Sequence, residues 1–597
     1  MFLSLEGMKK GLFILCIVLF QVSFSQNNYV LAERYFNDGA FEKATVLFEE
    51  LSKKNPNNTT YLKKLISSYQ ESGRFTTVTN LLKNKLSNHP NQSYLFVEIG
   101  YNYDRQHKKE EAIFYYDKAI AAIDQNPAMG GFIGRLFKQN ALLDYAIAAY
   151  EKTMHHNPNA NYQFLVAQIY GEKGYFDKMF TSYVELLDKN ENYITNVQRY
   201  ASRYITDDKF NEKNIAFKKA LIKKSVSNPK NVWNTLLSWL FIQQKEYLKA
   251  FIQEKALFNR SPNNSNYIIE LGRTAFENQA YNSAKTCFEF IINKSASEAE
   301  VLIAQLYKMN IAIAQNEPNI NAMFNALYTV YGKKTTTLQL QLAQANYLTF
   351  TQNKPKQAIA ILEHALQIAP SKFKKAAIKI QLGEVFVFTG NYNRALIYFS
   401  QVQTGIKNHP LAQKARFKVA QTSFFKNDFK WAFAQLKVLK SSTTQLIAND
   451  ALDLFLTISD NQVKDSIDTG LKDYATASLL AFQNKNEQAL DTLQHIISTY
   501  KGQNIEDEAL YKQAQLFAKI NAFEKAIASY MQLITLNVEG IFVDDAIYDI
   551  AEIYFYQLNN TEKASEYYQK IIFDHSSSIY LVDARNKFRK LRGDAIN

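Results

Sequence analysis

Two cysteines in 597 residues leave almost nothing for covalent cross-linking. Cys16 falls in a leader that is expected to be removed, and a lone Cys287 cannot close an internal disulfide, so stability has to come from packing. Cys287 stands one residue before Phe288 with no histidine beside it, which reads as a core thiol rather than a nucleophile. Proline (10) and glycine (19) are equally sparse, so few positions can break a helix. The eight histidines are scattered, and the one adjacent pair, His155 and His156, would point about 100° apart on a helix, which is no metal face. The chain has no HExxH, no glycine-rich phosphate loop after a strand, no G-x-S-x-G and no cysteine pair. No catalytic residue, metal site or cofactor is therefore expected. Carboxylates such as Asp104 and Glu384 fall at solvated or groove positions by helix phase. Lys and Arg number 69 against 56 Asp and Glu, a formal +13, but no basic block interleaves with aromatics. Nucleic acid is thus not an expected partner, and the excess reads as solvated surface on a long molecule.

What the chain does have is apolar and aromatic residues, 47% and 14%, set out in a repeating pattern. The stretch 382–399, LGEVFVFTGNYNRALIYF, shows the unit. Leu382-Gly383 and Phe386 share one face of a first helix, and Gly390 permits a turn. Ala395 and Phe399, four apart, put a small and a large residue on one stripe of a second helix. Small residues recur at 44, 78, 112 and 146, a strict register of 34, with Gly39, Gly73, Gly174 and aromatics such as Tyr69, Tyr103 and Phe137 in phase. From Ala358 the register lengthens: Ala358, Ala395 and Ala432 are 37 apart, and Ala489, Ala526 and Ala564 are 37 and 38 apart.

This pattern resembles the tetratricopeptide repeat (TPR), L-G-x-x-Y followed by A-x-x-x-F and P at a period of about 34 residues. The resemblance implies an all-α TPR superhelix, an α-solenoid of stacked helix-turn-helix repeats. Such a stack escapes the size limit of a single core, because each unit packs only on its neighbours. Residues 26–335 read as an N-terminal arm, degenerate near 190–231 and 296–335. Residues 336–597 read as a C-terminal arm with an insertion near 441–475, an odd helix plus a polar loop, and a basic capping helix at 579–592.

Residues 1–25 read as a secretory leader. Two lysines precede the apolar run Leu12–Phe20, and Ser23 and Ser25 are suitably small before a cut at Gln26. Met8 is an alternative start, and Leu15 before Cys16 argues against lipid attachment. The mature chain is then expected to be exported to the periplasm, soluble or outer-membrane associated, with no transmembrane anchor. Its end, ASEYYQKIIFDHSSSIYLVDARNKFRKLRGD, resembles the last repeat and capping helix of bacterial envelope TPR proteins of Tol-Pal coordination and outer-membrane assembly. Ala584, Arg585 and Leu591 match that pattern, and His575 to Ser578 replace its proline turn. The basic tail Arg585, Lys587, Arg589, Lys590 and Arg592 suits a helix C-terminus and a polar terminal face.

In a TPR stack the first helices line the concave face. By phase, the groove then holds Lys63, Gln70, Tyr101, Asp104, Arg105, Arg135, Lys138, Gln139 and Gln168. Arg105, Arg135 and Lys138 come from neighbouring repeats and offer a basic strip to an acidic or extended peptide, or else are merely solvated helix-face residues. A clamp for a terminal carboxylate is not expected, because Ser67 stands where the family pattern wants Asn. The resulting expectation is a non-catalytic scaffold for other envelope proteins or extended peptides. The alternative is a peptidoglycan- or glycan-associated protein whose groove aromatics stack on sugars.

Overall fold

The computed structural model describes residues 28–56, 58–262, 265–439, 445–462 and 469–593. The expected leader at 1–25 and the segment 463–468 lie outside the described residues. Every regular element among the described residues is helical, and consecutive helices pair as antiparallel hairpins that stack into a TPR-type solenoid. The chain divides into two compact units, the first ending at Gln244 and the second beginning at Lys245.

The turn between paired helices has one recurring chemistry. In the first unit Gly39, Gly73, His107 and Ala141 take left-handed φ at intervals of 34 residues, followed by Gly174. Around each, the next amide donates to the carbonyl five residues back: Ala40 N to Tyr35 O at 2.8 Å, Arg74 N to Tyr69 O at 2.8 Å, Leu142 N to Phe137 O at 2.8 Å. That bond satisfies a carbonyl orphaned by the helix end, the Schellman arrangement. In the second unit the same place is held mostly by asparagine, at Asn316, Asn353, Asn427, Asn484, Asn521 and Asn559, with Gly390 in phase. Asparagine tolerates this region better than other non-glycine residues.

Packing within a hairpin follows from a glycine sixteen residues before a ring. A Cβ on Gly100 would lie 2.6 Å from the Tyr116 ring, on Gly134 2.7 Å from Tyr150, on Gly272 2.8 Å from Phe288 and on Gly383 2.4 Å from Phe399. Helices therefore approach only because the side chain is missing, and each ring is buried in the layer below. Burying a ring this fully contributes about 1.5–3 kcal/mol. Cys287 is a buried core thiol, its pKa pushed up to about 12 by burial and then by the Glu254 charge.

Residues 190–231 form a worn repeat. Its first helix, Ile194–Ala201, has eight residues, and the connection to Glu212–Ser227 is long. Buried Asn214 organises that connection: it accepts from Thr206 N at 3.1 Å and donates to Thr206 O at 2.8 Å and Asp208 O at 2.7 Å. Residues 296–335 contain helices Glu298–Ala314 and Ile320–Tyr331 around Asn316, 37 residues after left-handed Gln279. Gln445–Asn461 is an unpaired helix between the hairpins Pro410–Phe425/Phe429–Leu439 and Thr469–Phe482/Asn486–Thr499. The turn after Phe482 reaches back far along the second unit: Gln483 donates to Phe388 O at 2.9 Å and Asn484 to Phe350 O at 2.7 Å, beside a Phe350–Phe482 ring contact at 5.4 Å. The C-terminal helix Leu581–Arg592 ends at left-handed Gly593, with Arg589, Lys590 and Arg592 in its last turn.

Candidate functional site: the inner faces of the two units

In the first unit three successive first helices, Thr59–Glu71, Leu95–Asp104 and Gly130–Gln139, face a common groove. Lys63 Nζ donates to Gln139 Oε1 at 2.8 Å, a contact that passes over the middle helix. Beneath it Glu98 is buried, its carboxyl pushed up by burial, with the Lys63 charge pulling the other way. Arg105 pairs with Glu71 at 3.1 Å. Burial works against its charge, and the Tyr101 hydroxyl and Glu71 carboxylate outweigh that effect. Lys138 pairs with Glu172 at 2.9 Å. The strip is therefore partly charge-alternating rather than simply basic, because Arg105 and Lys138 each take a carboxylate from an adjacent repeat. Such half-exposed pairs are each worth little, about 0–1 kcal/mol.

The remaining groove candidates divide by environment. Arg135 is exposed and makes no ion pair among the described residues. Asp104 and Gln168 are half-buried on the same face. Gln70 is buried and donates to Asn102 Oδ1 at 3.1 Å, while Asn102 in turn donates to Phe75 O at 2.9 Å and Thr79 Oγ1 at 3.0 Å. Its amide serves helix-to-helix packing and is not offered to a ligand. His156 Nε2 lies 2.8 Å from Asp124 and His155 points elsewhere. Among the described residues no helix is long and apolar enough to cross a membrane.

Sequence reasoning placed no site in the second unit, yet its inner face gathers buried ionisable groups. Glu508 is buried and its pKa is pushed up to about 8, first by burial and then by the Asp453 charge. Asp549 accepts from Tyr530 at 2.8 Å and Tyr511 at 3.4 Å, and burial lifts it to about 6. Glu552 accepts from the Tyr568 hydroxyl at 2.5 Å and Lys587 at 2.6 Å, and Tyr580 donates to Asp545 at 2.7 Å. A cavity of about 580 Å³ opens here between first helices, walled by Phe417, Phe425, Phe482, Asp453, Tyr474 and Lys512. A second, of about 830 Å³, is walled by Asn278, Gln279, Gln515, Tyr530, Asp549 and Tyr556, with the π-helical turn Ile553–Gln557 at its edge. The signal available in the sequence was register: Tyr474, Tyr511 and Tyr548 recur every 37 residues on first helices.

The class this geometry defines is an all-α solenoid of helical hairpins. Residues 508–537 and 545–578 match the family model described as tetratricopeptide repeat, so the chain carries such repeats. No curated protein matches the sequence. Solved structures similar to the chain include the APC/C hetero-tetramer Cut9-Hcn1, at 12% identity over 95% of this chain and 96% of that one, with a TM-score of 0.25. Naa15/Naa10 bound to HypK-THB is similar at 13% identity over 96% and 97%, with a TM-score of 0.26. Yeast Tom70 is similar at 13% over 91% and 98%, with a TM-score of 0.27. Likeness at that level says nothing of function. The TPR fold is typically that of a non-catalytic scaffold that binds proteins or peptides.

Proposed function

We propose that this chain is a non-catalytic scaffold in the bacterial periplasm, holding envelope proteins together in outer-membrane assembly or secretion. The observation that carries the reading is the row of charged side chains along three adjacent first helices, Lys63, Arg105 and Lys138 tied to Gln139, Glu71 and Glu172, with Arg135 exposed beside them. An extended polypeptide lying along such a row meets alternating charge, with the Tyr101 hydroxyl beside Arg105 on the middle helix. Export is supported by the pattern of residues 1–25, and the envelope setting by the resemblance at the C-terminus. Crosslinking of the tagged chain in living cells should capture one or two envelope proteins, and Arg135→Glu, which breaks no ion pair, should lose them. The purified chain should begin at Gln26 by mass spectrometry. Capture that Arg135→Glu leaves intact would remove the groove from this account.

The 830 Å³ cavity favours one other reading. Amides and carboxylates beside aromatic rings are the donors, acceptors and faces a hydroxyl-rich glycan needs. On that reading the chain pellets with purified peptidoglycan sacculi and resists moderate salt, whereas the groove contacts of the scaffold are weakened by it.

A further inference from the structure

Half-buried ion pairs join successive first helices on the inner face of the second unit. Lys418 stands nine residues before left-handed Asn427, and its partner Glu384 stands six before left-handed Gly390, on the preceding first helix. Their separation is 3.0 Å, with side chains only 17% and 18% exposed. The last two first helices are also joined by such a pair, Lys587 with Glu552 at 2.6 Å across 35 residues, at other offsets from the left-handed turns Gly593 and Asn559. Lys512 holds the same place as Lys418, nine residues before left-handed Asn521. The residue in Glu384's place on the preceding first helix, six before left-handed Asn484, is Ser478.

Lys512 is thus the rung without its carboxylate. It makes no ion pair and no hydrogen bond among the described residues, and it is half-buried on the inner face, where burial works against its charge and Asp453 and, more weakly, Glu508 favour it without contact. Both Lys512 and Ser478 line the 580 Å³ cavity. An ammonium withdrawn from water without a partner is unfavourable, and the fold leaves space in front of this one. The walls restrict what fits. Phe417, Phe425 and Phe482 supply apolar surface, while Asp450 and Asp453 on the unpaired helix repel a polyanion.

We infer that Lys512 receives a single glutamate or aspartate carboxylate from a partner polypeptide, flanked by apolar residues, which completes the rung that Ser478 leaves open. The inference rests on the scaffold reading and names the chemistry of one partner contact. Glutamate is the better fit, since the partner side chain takes the place that Glu384 holds opposite Lys418.

The test uses the full mature chain and an array of seven-residue peptides with Glu or Gln at the centre and Phe, Leu or Ile on either side. Glu peptides should bind about ten-fold more tightly than their Gln isosteres, the worth of one partly desolvated charge pair. Lys512→Gln should erase that preference with helicity unchanged. Ser478→Glu should erase it too, by filling the rung from within, and should raise the unfolding temperature. Equal binding of Glu and Gln peptides, or a preference that survives both variants, overturns the inference while leaving the scaffold reading in place. A fall in stability of Lys512→Gln with the preference intact identifies Lys512 as the internal partner of Asp453 and overturns it as well. If neither peptide set binds the wild-type chain, the inference fails, while the scaffold reading is decided by the crosslinking of the first-unit groove.

Discussion

At the scale of single residues, the inner face of the second unit sets carboxyl groups where solvent cannot fully reach them. Glu508 is the extreme case, its pKa at about 8 against about 4.3 for a free glutamate. Between those values the folded state binds the proton that the unfolded state releases, so stability falls as pH rises from about 4 to about 8 and then levels off. Asp549, lifted to about 6, adds to the fall only in the lower part of that window. Glu508→Gln removes the titrating group while keeping an acceptor for the Thr457 hydroxyl, 3.4 Å away. Thermal unfolding should therefore show the variant close to wild type at pH 5 and more stable by several degrees at pH 8.5. A shift of this size corresponds to at most a few kcal/mol. An unchanged gap across that range would mean Glu508 is solvated. None of this was visible beforehand, because a glutamate's burial depends on which neighbours its helix meets. The sequence pattern does show Gly383 and Phe399, and the structure gives the reason for their spacing, a ring lying where the glycine's Cβ would be.

At the scale of elements, the hairpin register was legible wherever glycine marked the turn and the small residue marked the second helix. It faded at 296–335 because Asn316 makes the same left-handed turn without looking like a landmark. It faded at 190–231 for another reason, since the turn there is replaced by a longer connection whose order comes from one buried side chain. Helix phase also placed Gln70 on the groove face, and the structure buries it against Asn102, as happens where neighbouring first helices approach closely enough to bridge polar side chains. Glu71 and Glu172, which neutralise Arg105 and Lys138, could have been found by counting one repeat of 34 from each cation. Asn214→Ala deprives three backbone groups of the loop of their partner at once. Groups left unsatisfied in this way cost about 1–3 kcal/mol, more where several are buried together. The expected outcome is a lower urea midpoint and new proteolytic cleavage within 202–211, with the neighbouring hairpins intact. Resistance to cleavage equal to wild type would show that the loop is held by other contacts.

At the scale of the whole molecule, a solenoid's stability is approximately a sum of repeats and their interfaces, so it opens from its ends unless more distant contacts intervene. The second unit contains both situations. Its middle is tied beyond nearest neighbours by Asn484 on Phe350 O, 134 residues away, and by Gln483 on Phe388 O. Its end depends on one helix, Leu581–Arg592, which buries Ala584 and delivers Lys587 to Glu552 and Asp583. Tyr580, just before that helix, stacks on Tyr548 at 4.2 Å as Phe542 does on Tyr511 at 4.8 Å one repeat earlier. Deleting 579–597 therefore removes the stacked ring, exposes the apolar face of the preceding hairpin and leaves Glu552 without its cation. Hydrogen exchange should then show loss of protection through 543–574, while 338–425 and 469–482 retain theirs because the distant ties are untouched. Lys587→Ala should give a weaker version of the same pattern, confined to the final hairpin. If protection instead falls evenly from 338 to 574, the unit unfolds as a single cooperative block, and the terminal helix is a lid on the whole stack rather than a cap on its last repeat.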